Sequence, residues 1–286
     1  MSRLGGKFTF PGTRITVNRM GLGAMQLPGK GVWGPPRDHG AALAVLRAAI
    51  AAGIDHIDTA DFYGPQVSNE LIADSLTPYP SGLTIVTKVG AKRGDDASWL
   101  AHKGDADLAG AIERNLATLG LATMDIVNLR LFEDDESASE IERMMKALIG
   151  LQNRGLVRHL GISNAGADQV AVARSLAPIV CVQNHYNLAH RKDDALIDAL
   201  AADGIAYVPY FPLGGFAPLQ SDRLNRAAAK AGATPMQLAL AWLLQRAPNI
   251  LVIPGTSSLT HLHENIAAAD LVLDDSALAE LDAIAG

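Results

Sequence analysis

Eight short apolar runs, separated by helical stretches, recur along almost the whole chain and restrict its fold more than any other feature. They are RMGLGAM (19–25), IDHID (54–58), LTIVTK (83–88), MDIVNL (124–129), VRHLGIS (157–163), IVCVQN (179–184), IAYVPY (205–210) and NILVIP (249–254). Each is nearly continuous in apolar residues, which suits strands covered on both faces. Between them, AALAVLRAAIAAG, DLAGAIERNLATLG and SEIERMMKALIGLQNRG are amphipathic and each closes on a glycine, a common helix stop. Asp193 to Ala202 and Pro235 to Arg246 read as two further helices. Eight βα units in about 250 residues predict a closed parallel (β/α)8 TIM barrel, an α/β fold. The alternative, a doubly wound open sheet, normally has a third glycine in its first βα turn and a helix directly after it. GLGAM offers only Gly21 and Gly23. KFTF and RITV, around Pro11-Gly12, predict a short N-terminal β-hairpin ahead of the barrel. No Pro/Ser-rich linker or charge block divides the sequence, so residues 1–286 are expected to form one barrel domain.

A hydrophobic content of 49% supplies a large core, and a net charge of −6 gives no electrostatic case for nucleic acid or an anionic membrane as partner. Cys181 is the sole cysteine and sits in a strand-like run, where a structural thiol is expected. The N-terminus lacks a signal-peptide core and no apolar run reaches transmembrane length, so a cytoplasmic location is expected. The histidines are scattered and form no metal motif, so no metal is expected.

Chemistry concentrates in HIDTADFYG (56–64). Asp58 ends the second predicted strand, Tyr63 stands in the loop leaving it, and Lys88 ends the third. In a parallel α/β fold such strand tips carry the site. A phenol titrates near 10, and an adjacent ammonium lowers that value. Asp58, Tyr63 and Lys88 therefore read as a proton donor, its tuning cation and the carboxylate that fixes the cation. The alternative is a rim salt bridge beside an unrelated loop tyrosine.

These residues, with GISN (161–164), VQNHYN (182–187), PYFPLGG (209–215), IPGTSS (253–258) and HLHEN (261–265) in the same order, resemble the aldo-keto reductases over essentially the whole chain. The resemblance implies a barrel that binds a nicotinamide dinucleotide without a Rossmann fold and transfers hydride to an aldehyde or ketone, with Tyr63 as general acid. The family normally has a histidine at the end of the fourth strand, where this chain has Arg130. A guanidinium is always charged, unlike an imidazole. Arg130 is read either as a donor to the substrate carbonyl oxygen or as an outward side chain pairing with Glu133 or Asp134. The acidic run at 133–137 otherwise reads as a loop leading into a helix.

By the same resemblance, Ser163, Asn164 and Gln183 match contacts to the nicotinamide carboxamide, and Tyr210 matches a ring stacked on the nicotinamide. Gly23, Met25, Pro212 and Leu213 fall on cofactor-facing loops. Gly255, Thr256 and Ser257 precede a helix, where free N–H groups favour phosphate. Glu264 and Asn265 match adenine contacts. The lysine and arginine that often hold a 2′-phosphate are replaced by Gly255 and His261, with His263 close by. Thr256, Ser257 and His261 still suit phosphate and the loop lacks an acid, so NADPH is expected over NADH. Within the family, GAMQLPGKGVWGPPRD (23–38), TKVGAKRGDDASWL (87–100), DIVNLR (125–130) and FPLGGFAPLQ (211–220) resemble bacterial reductases acting on pyridoxal. That implies a small-molecule aldehyde substrate, with Trp33, Phe62 and Trp99 as pocket candidates. The competing expectations are a general small-aldehyde reductase, a cofactor-binding redox-sensing subunit, and a Schiff-base aldolase using Lys88.

Overall fold

A computed structural model describes residues 4–132, 136–214 and 222–284. The chain opens with an antiparallel hairpin, β1 (Lys7–Thr9) and β2 (Thr16–Asn18), in which Phe8 faces Val17. Strands and helices then alternate: β3 (Leu22–Gly23), α1 (His39–Ala51), β4 (His56–Asp58), α2 (Val67–Leu76) and β5 (Thr84–Val89). A second antiparallel hairpin follows, β6 (Ala91–Arg93) with β7 (Trp99–Ala101), where the sequence suggested only a loop. The alternation resumes with α3 (Asp105–Leu119), β8 (Met124–Arg130), α4 (Ala138–Asn153), β9 (Val157–Ser163), α5 (Ala167–Leu176), β10 (Ile179–Gln183), α6 (Asp194–Ala202) and β11 (Ala206–Tyr207). Helices α7 (Asp222–Ala231), α8 (Pro235–Arg246), α9 (Leu259–Ala267) and α10 (Asp275–Asp282) complete the described chain.

The strands from β3 to β11, apart from the β6–β7 hairpin, make one parallel sheet in the order β11-β10-β9-β8-β5-β4-β3. The eighth predicted run closes it. Ile250 bridges Tyr207 on one side, while Val252 bridges Met20 and Gly255 bridges Gly23 on the other. The Tyr207 N–H donates to Asn249 O, and the Leu251 N–H donates back to Tyr207 O. Pro254 has no N–H to give, so a regular ladder does not extend to the rim; its carbonyl instead accepts from the Gly23 N–H at 3.3 Å. At this seam a Cβ on Gly23 would lie 2.5 Å from Ile253 O, so only glycine permits the approach.

The N-terminal hairpin closes the mouth where the strands begin. Lys7 and Asn18 both hydrogen-bond to Asp55, at the foot of β4. Phe10 and Val17 pack into a buried cluster with Val86, Ile126, Val208, Leu251 and Ile253 inside the barrel. A larger apolar layer joins the outer face of the sheet to the helices. The predicted glycine stops behave as expected: Gly53, Gly120 and Gly155 follow α1, α3 and α4 with φ of 96°, 64° and 79°. With one mouth plugged, the strand C-terminal ends surround the open one, and Asp58, Arg130, Ser163 and Gln183 are the last residues of their strands.

Candidate active site

Neighbouring parallel strands bring Asp58 and Lys88 together. The register sets Asp58 opposite Val86, and Lys88 lies two residues further along the same face. The Lys88 ammonium donates to Asp58 Oδ1 at 2.5 Å and to Thr59 O at 3.0 Å. Gln183 Nε2 donates to the second carboxylate oxygen, Asp58 Oδ2, at 2.9 Å. The ammonium also stands 4.9 Å from the centre of the buried Tyr63 ring. The loop that carries Tyr63 is tied down on its far side, where Asp61 accepts from Arg114 Nε at 3.0 Å.

Electrostatics sharpen the expectation for Tyr63. Burial raises its pKa, the charges of Lys88 and Arg130 act to lower it, and the charge of Asp58 raises it again. The net direction is upward, so the lysine moderates the phenol without making it a stronger acid than usual. Lys88 itself is pushed down by burial, but Asp58 and Tyr63 outweigh this and its net shift is upward. At neutral pH the set is thus a protonated phenol beside a fixed, charged ammonium.

Under Asp58 the barrel interior stays polar. His56 shares its inward face and is held down at about 4 by burial, against the charges of Asp55 and Asp58 and the Asn18 backbone. Gly21 makes room for it, since a Cβ there would meet His56 Nε2 at 2.1 Å. The Cys181 thiol donates to Asn128 Oδ1 at 3.1 Å and is pushed up to about 12 by burial, consistent with a structural role.

All four expected catalytic residues, Asp58, Tyr63, Lys88 and Arg130, line one cavity of about 390 Å³ at the open mouth. Gly23, Met25, Ser163, Tyr210, Pro212, Leu213 and Gly255 line it too, as do Phe62 and Trp99. Arg130 is half-buried with its Nε fully enclosed, and it has no hydrogen-bond or carboxylate partner among the described residues. Glu133 and Asp134, its alternative partners, lie outside the described residues.

Three of the residues singled out in the sequence stand outside the cavity lining. Trp33 does not line the cavity; it stacks outside, 5.3 Å from the Arg93 guanidinium, which also covers Trp99 at 4.1 Å. Gln183 is fully buried behind the cavity lining; its Nε2 donates to Asp58 Oδ2, and its Oε1 has no hydrogen-bond partner among the described residues. Asn164 also stands just outside the wall, where its Nδ2 donates to Leu131 O and its Oδ1 accepts from the Tyr210 hydroxyl at 3.1 Å. It therefore holds the Tyr210 ring in place. Thr256, Ser257, His261, Glu264 and Asn265 continue from Gly255 along the loop into α9, beyond the cavity wall. Sequence reasoning missed Gln26, Phe132, Phe211, Ile253 and Pro254 as lining residues. Phe132 and Phe211 lie two and one residues beyond Arg130 and Tyr210, so counting onward from the strand tips would have found them.

A phenol donor over an ion pair, at the floor of an aromatic-walled cavity, can protonate an oxygen as charge develops on it. Residues 19–285 match the aldo/keto reductase family. The chain belongs to that family. It is 59% identical to the pyridoxine 4-dehydrogenase of Escherichia coli over 94% of this chain and 95% of that protein. It is 36% identical to an uncharacterised oxidoreductase of Schizosaccharomyces pombe, over 94% of this chain and 87% of the other. Among solved structures, an aldo/keto reductase from Klebsiella pneumoniae in complex with NADP and acetate superposes with a TM-score of 0.79. That pair is 28% identical and covers 97% of this chain and 94% of the other. The barrel expectation and the family resemblance both hold, and the protein is an oxidoreductase. Among the described residues no group of three or more metal-ligating side chains converges, and no helix is long and apolar enough to cross a membrane.

Proposed function

We propose that this aldo/keto reductase reduces the 4-aldehyde of pyridoxal to the alcohol of pyridoxine, using NADPH. The observation that carries the reaction type is the neutral, buried Tyr63 phenol beside the Asp58–Lys88 pair. The substrate rests on the 59% identity to pyridoxine 4-dehydrogenase across nearly the full length of both proteins. The cofactor rests on the family and on the NADP-bound structural relative.

The residues present fit a nicotinamide at the open mouth. Ser163 brings a hydroxyl to the cavity, and Tyr210, anchored by Asn164, offers an aromatic ring along its wall. When bound, reduced nicotinamide supplies the hydride. Tyr63 holds the proton that the carbonyl oxygen takes up, because burial keeps its phenol neutral at working pH. Lys88 stabilises the phenolate left behind, and Asp58 fixes Lys88 against the strand tips. Gln183 holds the other Asp58 oxygen, so the carboxylate cannot swing towards the substrate. The phenol recovers its proton from solvent, which balances the reaction as aldehyde plus hydride plus proton giving alcohol. Phe62, Trp99 and Phe132 exclude water and suit a flat aromatic ring.

The decisive experiment follows loss of reduced-nicotinamide absorbance with pyridoxal and with benzaldehyde, using NADPH and NADH. A clear preference for pyridoxal with NADPH is expected. Equal turnover of both aldehydes indicates a general reductase, and tight cofactor binding without turnover indicates a redox-sensing subunit.

A further inference from the structure

Arg130 is an unusual group to find facing an aromatic cavity. A guanidinium keeps its charge, and burying one without an acceptor is costly. Yet Arg130 lines the cavity with its Nε enclosed and no acceptor among the described residues. The Phe132 ring lies 5.1 Å from the guanidinium carbon. Two other partly buried arginines are satisfied: Arg19 reaches four backbone carbonyls, and Arg93 reaches those of Gly31, Val32 and Ala97. The charge at Arg130 is therefore left for a ligand.

The hydrogen-bonding shape of that ligand follows from the fork. Guanidinium presents parallel N–H groups and is best matched by two adjacent oxygens in one plane. One of these is the carbonyl oxygen, because Arg130 lines the same cavity as Tyr63, which meets that oxygen with its proton. The aromatic walls hold the ring that carries the carbonyl, so the second oxygen belongs to the ring position next to it. The geometry points to Arg130 as a specificity-determining clamp for aromatic aldehydes that carry an ionised hydroxyl ortho to the aldehyde, gripping both oxygens at once. This deepens the pyridoxal reading and rests on it, since the 3-hydroxyl of pyridoxal is such a group. It also gives a reason for arginine at the position: an imidazole has no fork with which to hold two oxygens and brings no permanent charge to meet a phenolate.

The test compares wild type, Arg130→Met and Arg130→Lys on pyridoxal, 3-O-methylpyridoxal and pyridine-4-carbaldehyde, with NADPH saturating. Wild type is expected to favour pyridoxal over its 3-O-methyl ether by on the order of ten- to a hundredfold in kcat/KM, the worth of a charged hydrogen bond. Arg130→Met should collapse that ratio towards one, and Arg130→Lys, which keeps charge but not the fork, should recover part of it. Binding of pyridoxine against 3-O-methylpyridoxine, read without turnover by tryptophan fluorescence, should show the same pattern. An unchanged ratio in Arg130→Met, or equal binding of the two alcohols to wild type, overturns the clamp. Failure to reduce any of the three aldehydes overturns the reductase reading instead. If Arg130→Met does not fold, the binding comparison in wild type and Arg130→Lys still decides.

Discussion

The Lys88 ammonium and the Asp58 carboxylate meet at 2.5 Å between the tips of β5 and β4, with side-chain exposures of 6% and 5%. Removing one partner of such a pair strands the other charge in a dry site and costs about 3–5 kcal/mol. Asp58→Asn and Lys88→Met should each destabilise by that order in denaturant titrations. The double variant should recover a substantial part, since no lone charge then remains. Additive losses would show that the pair is not coupled.

Tyr63→Phe removes the proton donor while keeping the ring beside Phe62 and Trp99, which it meets edge-on at 5.3 and 6.5 Å. Turnover of pyridoxal should fall by about 10²–10⁴-fold, the usual worth of a positioned acid. NADPH affinity, measured by fluorescence titration, should stay near the wild-type value. Near-normal turnover would remove Tyr63 from the mechanism.

The parts of the site legible in the sequence are those that depend on strand ends. Asp58 and Lys88 were placed at one rim because apolar runs stop there, and the barrel makes consecutive strands neighbours. Tyr63 came with the same loop. The hydrogen bond from Gln183 to Asp58 spans 125 residues and comes in addition to the cofactor contact that the resemblance implies for Gln183. Only closure of the sheet aims that amide across the barrel, and no local pattern encodes it. Trp33 stands outside the cavity lining for a related reason: the Arg93 stack that holds it there joins two segments 60 residues apart in sequence. The β6–β7 hairpin was hidden because the polar run between its strands, GDDAS, reads as a loop in any context.

That hairpin yields a prediction of its own. Arg93 donates to Gly31, Val32 and Ala97 carbonyls and lies over both Trp33 and Trp99. Arg93→Ala should loosen Trp99 over the cavity, raising KM for pyridoxal several-fold with a smaller effect on kcat, and should red-shift tryptophan emission. An unchanged spectrum with unchanged KM would show that Trp99 is held by its other contacts.

Gly161 on β9 leaves space that the barrel interior uses. A Cβ there would lie 2.1 Å from Asn128 Oδ1, 2.7 Å from Cys181 Sγ and 2.8 Å from the Cys181 carbonyl oxygen. Gly161→Ala should cost about 1–3 kcal/mol by overpacking. Adding Asn128→Ala relieves the first contact but not the backbone one, so the double variant should be rescued only in part, as read by urea midpoints.

Two buried groups near the site give opposite pH dependences in the same range. His56 is held down at about 4 by burial, despite the charges of Asp55 and Asp58, so the unfolded chain binds its proton more readily. Its contribution is present at neutral pH and is lost as pH falls from about 6.5 through 4. Asp61 is the reverse: burial raises it to about 6 while Arg114 opposes, so the folded state binds the extra proton. Its contribution is greatest at low pH and is lost as pH rises from about 4 through 6. Between these limits the two slopes largely cancel in the wild type. His56→Leu should therefore unmask a stability that falls from pH 4 to 6, whereas Asp61→Asn should unmask one that rises over the same range. Unfolding free energies at half-unit steps from pH 4 to 7 test both, and identical profiles for the two variants would refute the assignment of either slope.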